Sequence, residues 1–486
     1  MQKMQLSNYI QFHVGNQSYL FHGLTGNILA LDETAADFVA FVQKHGESSG
    51  DSWIFDPEKY VSKMDTTEKY QKMLKEFMDL EILQYVEESE GRRFSLTPPS
   101  PALTENMPVK TLVIHLVNEC NLRCTYCYAG DGEYGAPQKY LSKEVAEQAV
   151  HFLMENSGEE TSVTLVLFGG EPFLNWDVLK HLVEYSTEQG KKWGKKVQYS
   201  LTTNGTLLSP ARIKFLNQYS VGVSVSMDGT KEAHDKNRFF AGGQGSYDQV
   251  NKNVNRLIEG HQSAPVGTRV TVTKGFEKIE ASLQHLLSKG FYEVGFAPVT
   301  EPDTNLMLND RDLQELLRQF EEIADLYVEN AIHNRYLGFS NMTNLLKELH
   351  MGTNKAYGCG AGLGFFAVSP DGGLYLCHRF NEDERFKLGD IYSGVHRQKQ
   401  KEMLSELHVD RKESCKTCAL KHICSGGCYY EAMERQGDYR KPNAHYCNWM
   451  HEWITIGLKT YVRILEHNPD FLDRIAGIDK ERCVSN

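Results

Sequence analysis

The chain has 486 residues, a formal net charge of −12, 41% hydrophobic and 24% charged residues, the balance of an ordinary globular protein of about three domains. That acidic balance argues against a duplex-nucleic-acid binder, which needs a basic footprint for the phosphates, so no nucleic-acid partner is expected. There is no run of about 20 apolar residues, and Met1–Ile10 lacks a cationic stretch followed by an apolar one, so neither a membrane partner nor a secretory signal is expected.

Residues 1–96 read as a small α+β unit. Tyr9–Val14 and Ser18–Phe21 look like short strands around the turn Gly15-Asn16-Gln17, and Asp32–His45 has the helical spacing of Ala35, Phe38, Val39, Phe41 and Val42, with Asp32 as N-cap. A second helix is expected near Tyr70–Leu80 and a strand at Ile82–Val86. Thr97-Pro98-Pro99-Ser100-Pro101 is proline-rich and is expected to be a linker.

From 108 to 300 the pattern becomes a regular alternation. Strand-like runs occur at Thr111–Val117, Ser162–Phe168, Val197–Thr202, Val221–Ser226, Val266–Val272 and Phe291–Ala297. Amphipathic helical stretches lie between them: Ser142–Asn156, Trp176–Lys191, Ser209–Gln218, Tyr247–Ile258 and Ile279–Lys289. Such β–α repeats imply an α/β fold, with a parallel sheet curled by right-handed crossovers into a partial (β/α)6 TIM-like barrel. In these barrels the chemistry sits at the C-terminal ends of the strands. Residues 301–358 read as a helical bridge. Residues 359–447 hold seven cysteines and many glycines, which favours a module nucleated by metal over one built on an apolar core. An amphipathic closing helix is expected over 449–475, within a C-terminal segment 448–486.

Eleven cysteines in a long chain with no expected secretory signal point to metal or redox chemistry rather than disulfides. Directly after the first barrel strand comes Cys120-Asn-Leu-Arg-Cys124-Thr-Tyr-Cys127. Three thiolates on one tight loop can ligate three corners of a [4Fe–4S] cube. The fourth iron then stays open, and an open position is what makes a metal site catalytic rather than structural. Half of a zinc site is the competing reading, but no fourth ligand follows nearby.

This Cys-x3-Cys-x2-Cys spacing resembles the signature of the radical S-adenosylmethionine (SAM) superfamily, and the likeness continues on later strand ends. Phe168-Gly169-Gly170-Glu171-Pro172 resembles its Gly-Gly-Glu-Pro element. Thr202-Thr203-Asn204-Gly205, Ser224-Val225-Ser226-Met227-Asp228-Gly229 and His234-Asp235-Lys236-Asn237-Arg238 resemble the peptide-modifying branch. The resemblance implies that Cys120, Cys124 and Cys127 form the catalytic centre and hold the SAM-binding cluster. Tyr126 would lie beside the adenine, Gly169 and Gly170 would allow close backbone approach, and Glu171 would help hold the SAM ammonium. Ser226 and Arg238 would meet the SAM carboxylate, and Asn204 the ribose or methionine.

Cys359, Cys377 and then Cys415-x2-Cys418-x5-Cys424-x3-Cys428, with Cys447 beyond, resemble a SPASM domain, the cysteine-rich extension of radical SAM enzymes that act on peptides and proteins. The resemblance implies two auxiliary [4Fe–4S] clusters, three clusters in all. One would be held by Cys359, Cys377 and Cys428, the other by Cys415, Cys418, Cys424 and Cys447. A pair of zinc knuckles is the competing reading. No cysteine lies between Cys359 and Cys377, where anaerobic sulfatase-maturating relatives have one, so the first auxiliary cluster would keep a free iron for a substrate thiolate. Cys483 is left as a bystander thiol.

The unit 1–96 resembles the RiPP recognition element, a winged-helix-like domain that holds a leader peptide by strand addition. Together these resemblances imply a maturase similar to sactipeptide and ranthipeptide synthases, forming thioethers between cysteine sulfur and carbon in a ribosomally made precursor peptide. An external flavodoxin- or ferredoxin-like donor would supply electrons, and oxygen-sensitive clusters would place it in a reducing cytoplasm. The alternatives are another modification of this family (formylglycine formation, carbon–carbon cross-linking or epimerisation) or an electron-transfer scaffold without SAM cleavage. Oxidation would need a general base, for which Asp228 and Asp303 are the candidates. Replacing Cys120, Cys124 and Cys127 with alanine is expected to abolish 5′-deoxyadenosine production by the reduced protein, measured by chromatography; persistence would refute their assigned role.

Overall fold

A computed structural model describes residues 3–49, 51–57, 68–86, 107–130, 132–300, 303 and 305–478. The linker expected at 97–101 and the thiol Cys483 lie outside them. The first elements are β1 (Met4–Leu6), β2 (Tyr9–Val14), β3 (Gln17–His22), β4 (Ile28–Leu31), α1 (Glu33–His45), β5 (Glu47–Ser49), β6 (Ser52–Phe55), α2 (Glu68–Asp79) and β7 (Leu83–Tyr85). Asp32 caps α1 as its sequence position predicts, accepting from the Ala35 amide at 2.9 Å. Phe38, Val39 and Val42 share one face of α1 and are fully buried; Tyr70 and Phe77 of α2 meet Phe38 edge-on.

These strands form two sheets, one in the order β5-β6-β1-β7 and the other β2-β3-β4. Successive residues of a strand face opposite sides, and the β2–β3 hairpin uses both. Tyr9 and Leu20 complete the core of the N-terminal unit, whereas Ile10, Phe12, Tyr19 and Phe21 enter the main core of the chain. The unit is therefore shared with the body of the protein rather than set apart from it. A second attachment runs through Asp51, whose amide donates to the Thr417 carbonyl at 3.0 Å and whose carboxylate accepts from the Ala419 amide at 2.8 Å.

The central sheet begins with β8 (Thr111–His115), α3 (Lys143–Asn156), β9 (Ser162–Phe168), α4 (Trp176–Trp193), β10 (Lys196–Thr203), α5 (Pro210–Gln218) and β11 (Gly222–Ser226). It continues with α6 (Lys231–Asn237), α7 (Tyr247–Gly260), β12 (Val266–Val272), α8 (Ile279–Ser288) and β13 (Glu293–Pro298). Strands β8 to β13 lie side by side in chain order, all parallel. The expected bridge is two helices, α9 (Asp310–Ile332) and α10 (Ser340–His350).

The sheet does not stop at six strands. β14 (Phe365–Val368) pairs parallel with β8, and β15 (Gly373–Tyr375), β16 (Lys387–Asp390) and β17 (Gly394–Val395) extend it antiparallel to a ten-stranded sheet. The cysteine-rich module is thus grafted onto the strand that leads into Cys120. Its remaining helices are α11 (Arg397–Leu407), α12 (Lys421–Cys424) and α13 (Tyr429–Gln436). The closing helix expected over 449–475 is broken into α14 (Cys447–His467) and α15 (Pro469–Ala476), because Pro469 lacks the amide to continue α14 and instead opens the next helix. Trp449 and Trp453 of α14 pack edge-on against Phe320 of α9. Among the described residues no helix is long and apolar enough to cross a membrane.

Asp51→Ala is expected to lower stability by about 1–3 kcal/mol, since it strands the Ala419 amide, and Asp51→Asn, which keeps an acceptor, by less. Urea denaturation midpoints test both; equal, unchanged midpoints would show that this attachment carries no weight.

Candidate functional site

A loop that carries three cysteines has little apolar surface of its own, so its neighbours must hold it. Residues 117–127 follow β8 and are pinned from two sides. On one side the Gly170 amide donates to the Val117 carbonyl at 2.9 Å and the Glu171 amide to the Glu119 carbonyl at 2.8 Å. This approach needs glycine: a Cβ on Gly170 would lie 2.1 Å from the Glu119 oxygen. On the other side the Arg123 amide donates to the Phe239 carbonyl at 2.8 Å and the Thr125 amide to the Asn237 carbonyl at 3.0 Å. The Thr125 hydroxyl adds a bond to Asn237 Oδ1 at 2.8 Å. The end of β9 and the segment that leaves α6 thus grip one loop.

Cys120, Cys124 and Cys127 open onto a cavity of about 240 Å³ whose wall includes Tyr126, Gly169, Gly170, Asn204, Ser226 and Arg238. The ends of β8, β9, β10 and β11, with the segment after α6, therefore bring these residues together around one cavity. Burial, followed by the charge of Glu171, pushes the Cys120 thiol up to about 12. Burial likewise raises Cys124. Thiols held this way ionise readily only when a cation takes the proton's place.

Arg238, 6% exposed, donates from Nη1 to the Tyr126 hydroxyl at 2.8 Å. Tyr126 in turn donates to Asp228 Oδ2, and Asp228 Oδ1 accepts from the Thr271 amide at 3.0 Å. Burial opposes the Arg238 charge, but Cys124, Tyr126 and Asp228 outweigh it and hold the guanidinium firmly protonated. Its Nε–H is buried without a hydrogen-bond partner. A buried guanidinium with a vacant donor is a ready receptor for a carboxylate.

Asn204 and Glu171 are each held by several partners. Asn204 lines the cavity, and its amide is hydrogen-bonded: Nδ2 donates to Asn121 Oδ1 at 2.9 Å and to Cys120 Sγ at 3.6 Å. Its Oδ1 accepts from the Thr206 amide at 2.9 Å and hydroxyl at 2.7 Å. These bonds tie Asn204 to the cysteine loop. Glu171 lies beneath the wall, fully buried. Its oxygens accept from the Phe173 amide at 3.1 Å, the Thr203 hydroxyl at 2.8 Å and the Asn204 amide at 2.8 Å. One of about four acceptor sites is left. Burial pushes its carboxyl up, and the three donors only partly offset that.

The candidate general bases are both engaged elsewhere. Asp228 is held by Tyr126 and Thr271, and Asp303, exposed, accepts from the Asn305 amide at 2.8 Å.

A second cavity, of about 190 Å³, is lined by Cys424, Cys428 and Cys447 and shares Ala297 and Pro298, at the end of β13, with the first. The seven thiols of this module fall into two neighbourhoods. Burial, Cys428 and Cys359 raise Cys377 to about 12. Burial, Cys424 and Cys447 raise Cys415 to about 11, and burial, Asp51, Cys415 and Cys424 raise Cys418 to about 12. Among the described residues no three His, Cys, Asp or Glu side chains close on a point that a single ion could occupy; a cube spreads its thiolates around four irons.

The sequence reading missed Arg379, two residues past Cys377. It lines the barrel cavity, lies between the rings of Tyr128 and Tyr430 at 5.0 and 5.6 Å, and donates to the Thr300 hydroxyl at 2.9 Å. Nothing in its local sequence marks it, since its partners come from three distant segments.

Residues 114–286 match the radical SAM superfamily. The chain is 25% identical over 332 residues to a cysteine-type anaerobic sulfatase-maturating enzyme of Clostridium novyi, covering 64% of this chain and 85% of that one. It is 19% identical over 446 residues to the radical SAM cyclopropyl synthase TigE of Paramaledivibacter caminithermalis, covering 87% of this chain and 88% of that one. The solved structure of anSMEcpe with bound AdoMet and Cp18Cys peptide has the same fold, with a TM-score of 0.60 at 23% identity over 76% of this chain and 99% of that one.

Glu171→Ala is expected to destabilise the fold by about 1–3 kcal/mol, because it leaves buried donors of Phe173, Thr203 and Asn204 unpaired. Thermal unfolding of the cluster-free protein measures this without reference to activity; an unchanged midpoint would contradict the placement.

Proposed function

We propose that this radical SAM enzyme, homologous to anaerobic sulfatase-maturating enzymes, is a peptide maturase that joins cysteine sulfurs to carbon atoms of a ribosomally made precursor. The barrel cavity suits the cofactors. Cys120, Cys124 and Cys127 would hold three corners of a [4Fe–4S] cluster, and the vacant Nε–H of Arg238 would take the SAM carboxylate, with Ser226 beside it in the wall. Tyr126 would flank the adenine, and the remaining acceptor site of Glu171 would face the SAM ammonium. Bound there and reduced, SAM and its cluster supply a 5′-deoxyadenosyl radical, which removes a hydrogen atom from an unactivated carbon. The chain's own contribution is to fix the loop, exclude water and keep Arg238 charged.

In this reading residues 1–96 hold the leader peptide, 108–300 form the radical SAM barrel, 301–358 bridge it to the SPASM domain over 359–447, and 448–486 close the chain. Strands β5 and β7 are the outer strands of the N-terminal sheet and would offer it an edge for strand addition. The two thiol neighbourhoods would carry two auxiliary clusters, one on Cys359, Cys377 and Cys428 and one on Cys415, Cys418, Cys424 and Cys447. The first set has three cysteines, so a substrate thiolate could take the remaining corner. Its sulfur would then have to reach the carbon radical past Ala297 and Pro298, which line both cavities. Formation of the carbon–sulfur bond would release one electron, for which the auxiliary clusters held by these cysteines would be the acceptor. The substrate loses two hydrogens in all, one as an atom and one as the thiol proton. An external flavodoxin- or ferredoxin-like protein would supply the electron that starts each turnover.

The observation that carries thioether formation over oxidation is the engagement of Asp228 and Asp303 away from the cavity, since oxidation to an aldehyde needs a base for the hydroxyl or thiol proton. The charged groups in the described wall are Arg238 and Arg379. The similarity to a cysteine-type sulfatase-maturating enzyme favours a second reading, oxidation of a cysteine or serine to formylglycine. Mass spectrometry of a co-expressed precursor separates them. Thioethers remove two hydrogens per cross-link and leave the cysteines resistant to alkylation. A carbonyl-reactive product supports the second reading, and an unchanged mass with alkylatable thiols rejects both.

A further inference from the structure

Lys412 is an unusual residue to find inside a cysteine module. It is 2% exposed, and the chain makes room for it. Its Nζ donates to the Ser425 carbonyl at 3.3 Å and lies 5.0 Å from the centre of the Tyr429 ring. Ser425, with φ of 53°, is a non-glycine residue in the left-handed region. Gly426 follows it, and a Cβ there would lie 2.6 Å from both Cδ and Nζ of Lys412, so no larger residue fits while the ammonium stays where it is.

A buried ammonium needs a counter-charge. Among the described residues no carboxylate pairs with Lys412. Its contacts with Ser425 and Tyr429 place it beside Cys424 and Cys428; burial pulls the Lys412 ammonium down, and Cys415, Cys424, Cys359 and Cys428, in that order, act against it. These four belong to both thiol neighbourhoods, two from each. A Tyr429 ring face and one carbonyl are weak partners for a full charge. Thiolates holding iron–sulfur cores would be strong ones, and the ammonium lies where both sets can use it.

We infer that Lys412 is a positioning residue whose fixed positive charge sits between the two auxiliary clusters and raises the reduction potential of both. The inference rests on the reading of this module as the seat of two clusters. Net charge and the groups around the sulfurs set the potential of such centres. A cluster held by thiolates becomes more negative by one charge on reduction, so a neighbouring cation favours the reduced form. Lys412 would thereby help the clusters accept the single electron released when the carbon–sulfur bond forms, before that electron leaves for an external acceptor.

The test uses the full chain, reconstituted anaerobically with iron and sulfide, in its original form and as Lys412→Met and Lys412→Gln. Both variants remove the charge at similar length. Iron and sulfide are counted, and each form is titrated electrochemically with electron paramagnetic resonance as the readout. Expected are unchanged iron and sulfide, an unchanged SAM-binding cluster, and auxiliary potentials lowered by at least a tenfold shift in the reduction equilibrium, ~59 mV for a one-electron couple. Full iron with unmoved potentials would overturn the inference and leave the cluster assignment standing. Loss of auxiliary iron from both variants would show that Lys412 serves assembly, which also overturns it. An unsubstituted protein containing zinc, or iron for one cluster only, would defeat the two-cluster reading and the inference with it.

Discussion

The structure depends on backbone hydrogen bonds that hold the segment 117–127 between the end of β9 and the end of α6. Carbonyls of Val117 and Glu119 accept from Gly170 and Glu171, and amides of Arg123 and Thr125 donate to Phe239 and Asn237. Three thiols on a short loop cannot order themselves by apolar burial. Main-chain bonds from neighbouring segments place the loop, leaving the sulfurs facing the cavity. Glu171 extends the same grip by tying Phe173, Thr203 and Asn204 together beneath the wall.

The second constraint is the way the cysteine-rich module is attached. By adding β14 to the open edge at β8, the chain makes the module a continuation of the catalytic sheet rather than a tethered appendage. Sheet pairing fixes register to a fraction of an ångström, so the module's thiols hold a defined relation to the barrel cavity. Arg379 sits at the seam: its guanidinium lies between Tyr128 from the cysteine loop and Tyr430 from α13, and it reaches Thr300 past the end of β13. Half-buried and paired there with Glu431 of the second cavity at 3.4 Å, Arg379 ties the walls of the two cavities together.

The N-terminal unit is fastened to both parts. Its hairpin feeds the main core, and Asp51 bonds directly to Thr417 and Ala419, flanking Cys418. The unit is therefore joined by two hydrogen bonds to the residues on either side of Cys418.

The amino-acid sequence by itself determined the six parallel strands, their helices, the Asp32 cap, the cysteine spacing and the strand-end elements. Each of these is written in a local period or a fixed interval, which is the information a linear pattern holds. Tertiary structure alone decided that Asn204 bonds to the cysteine loop, that Glu171 lies beneath the wall, and that Arg379, Lys412 and Asp51 matter. Tertiary structure also carried the sheet past six strands. In each case the deciding partner is distant in sequence, and hydrogen-bond capacity and charge burial are properties of the whole surroundings. No local repeat can encode them, because the same side chain is free on a surface and fully committed in a core.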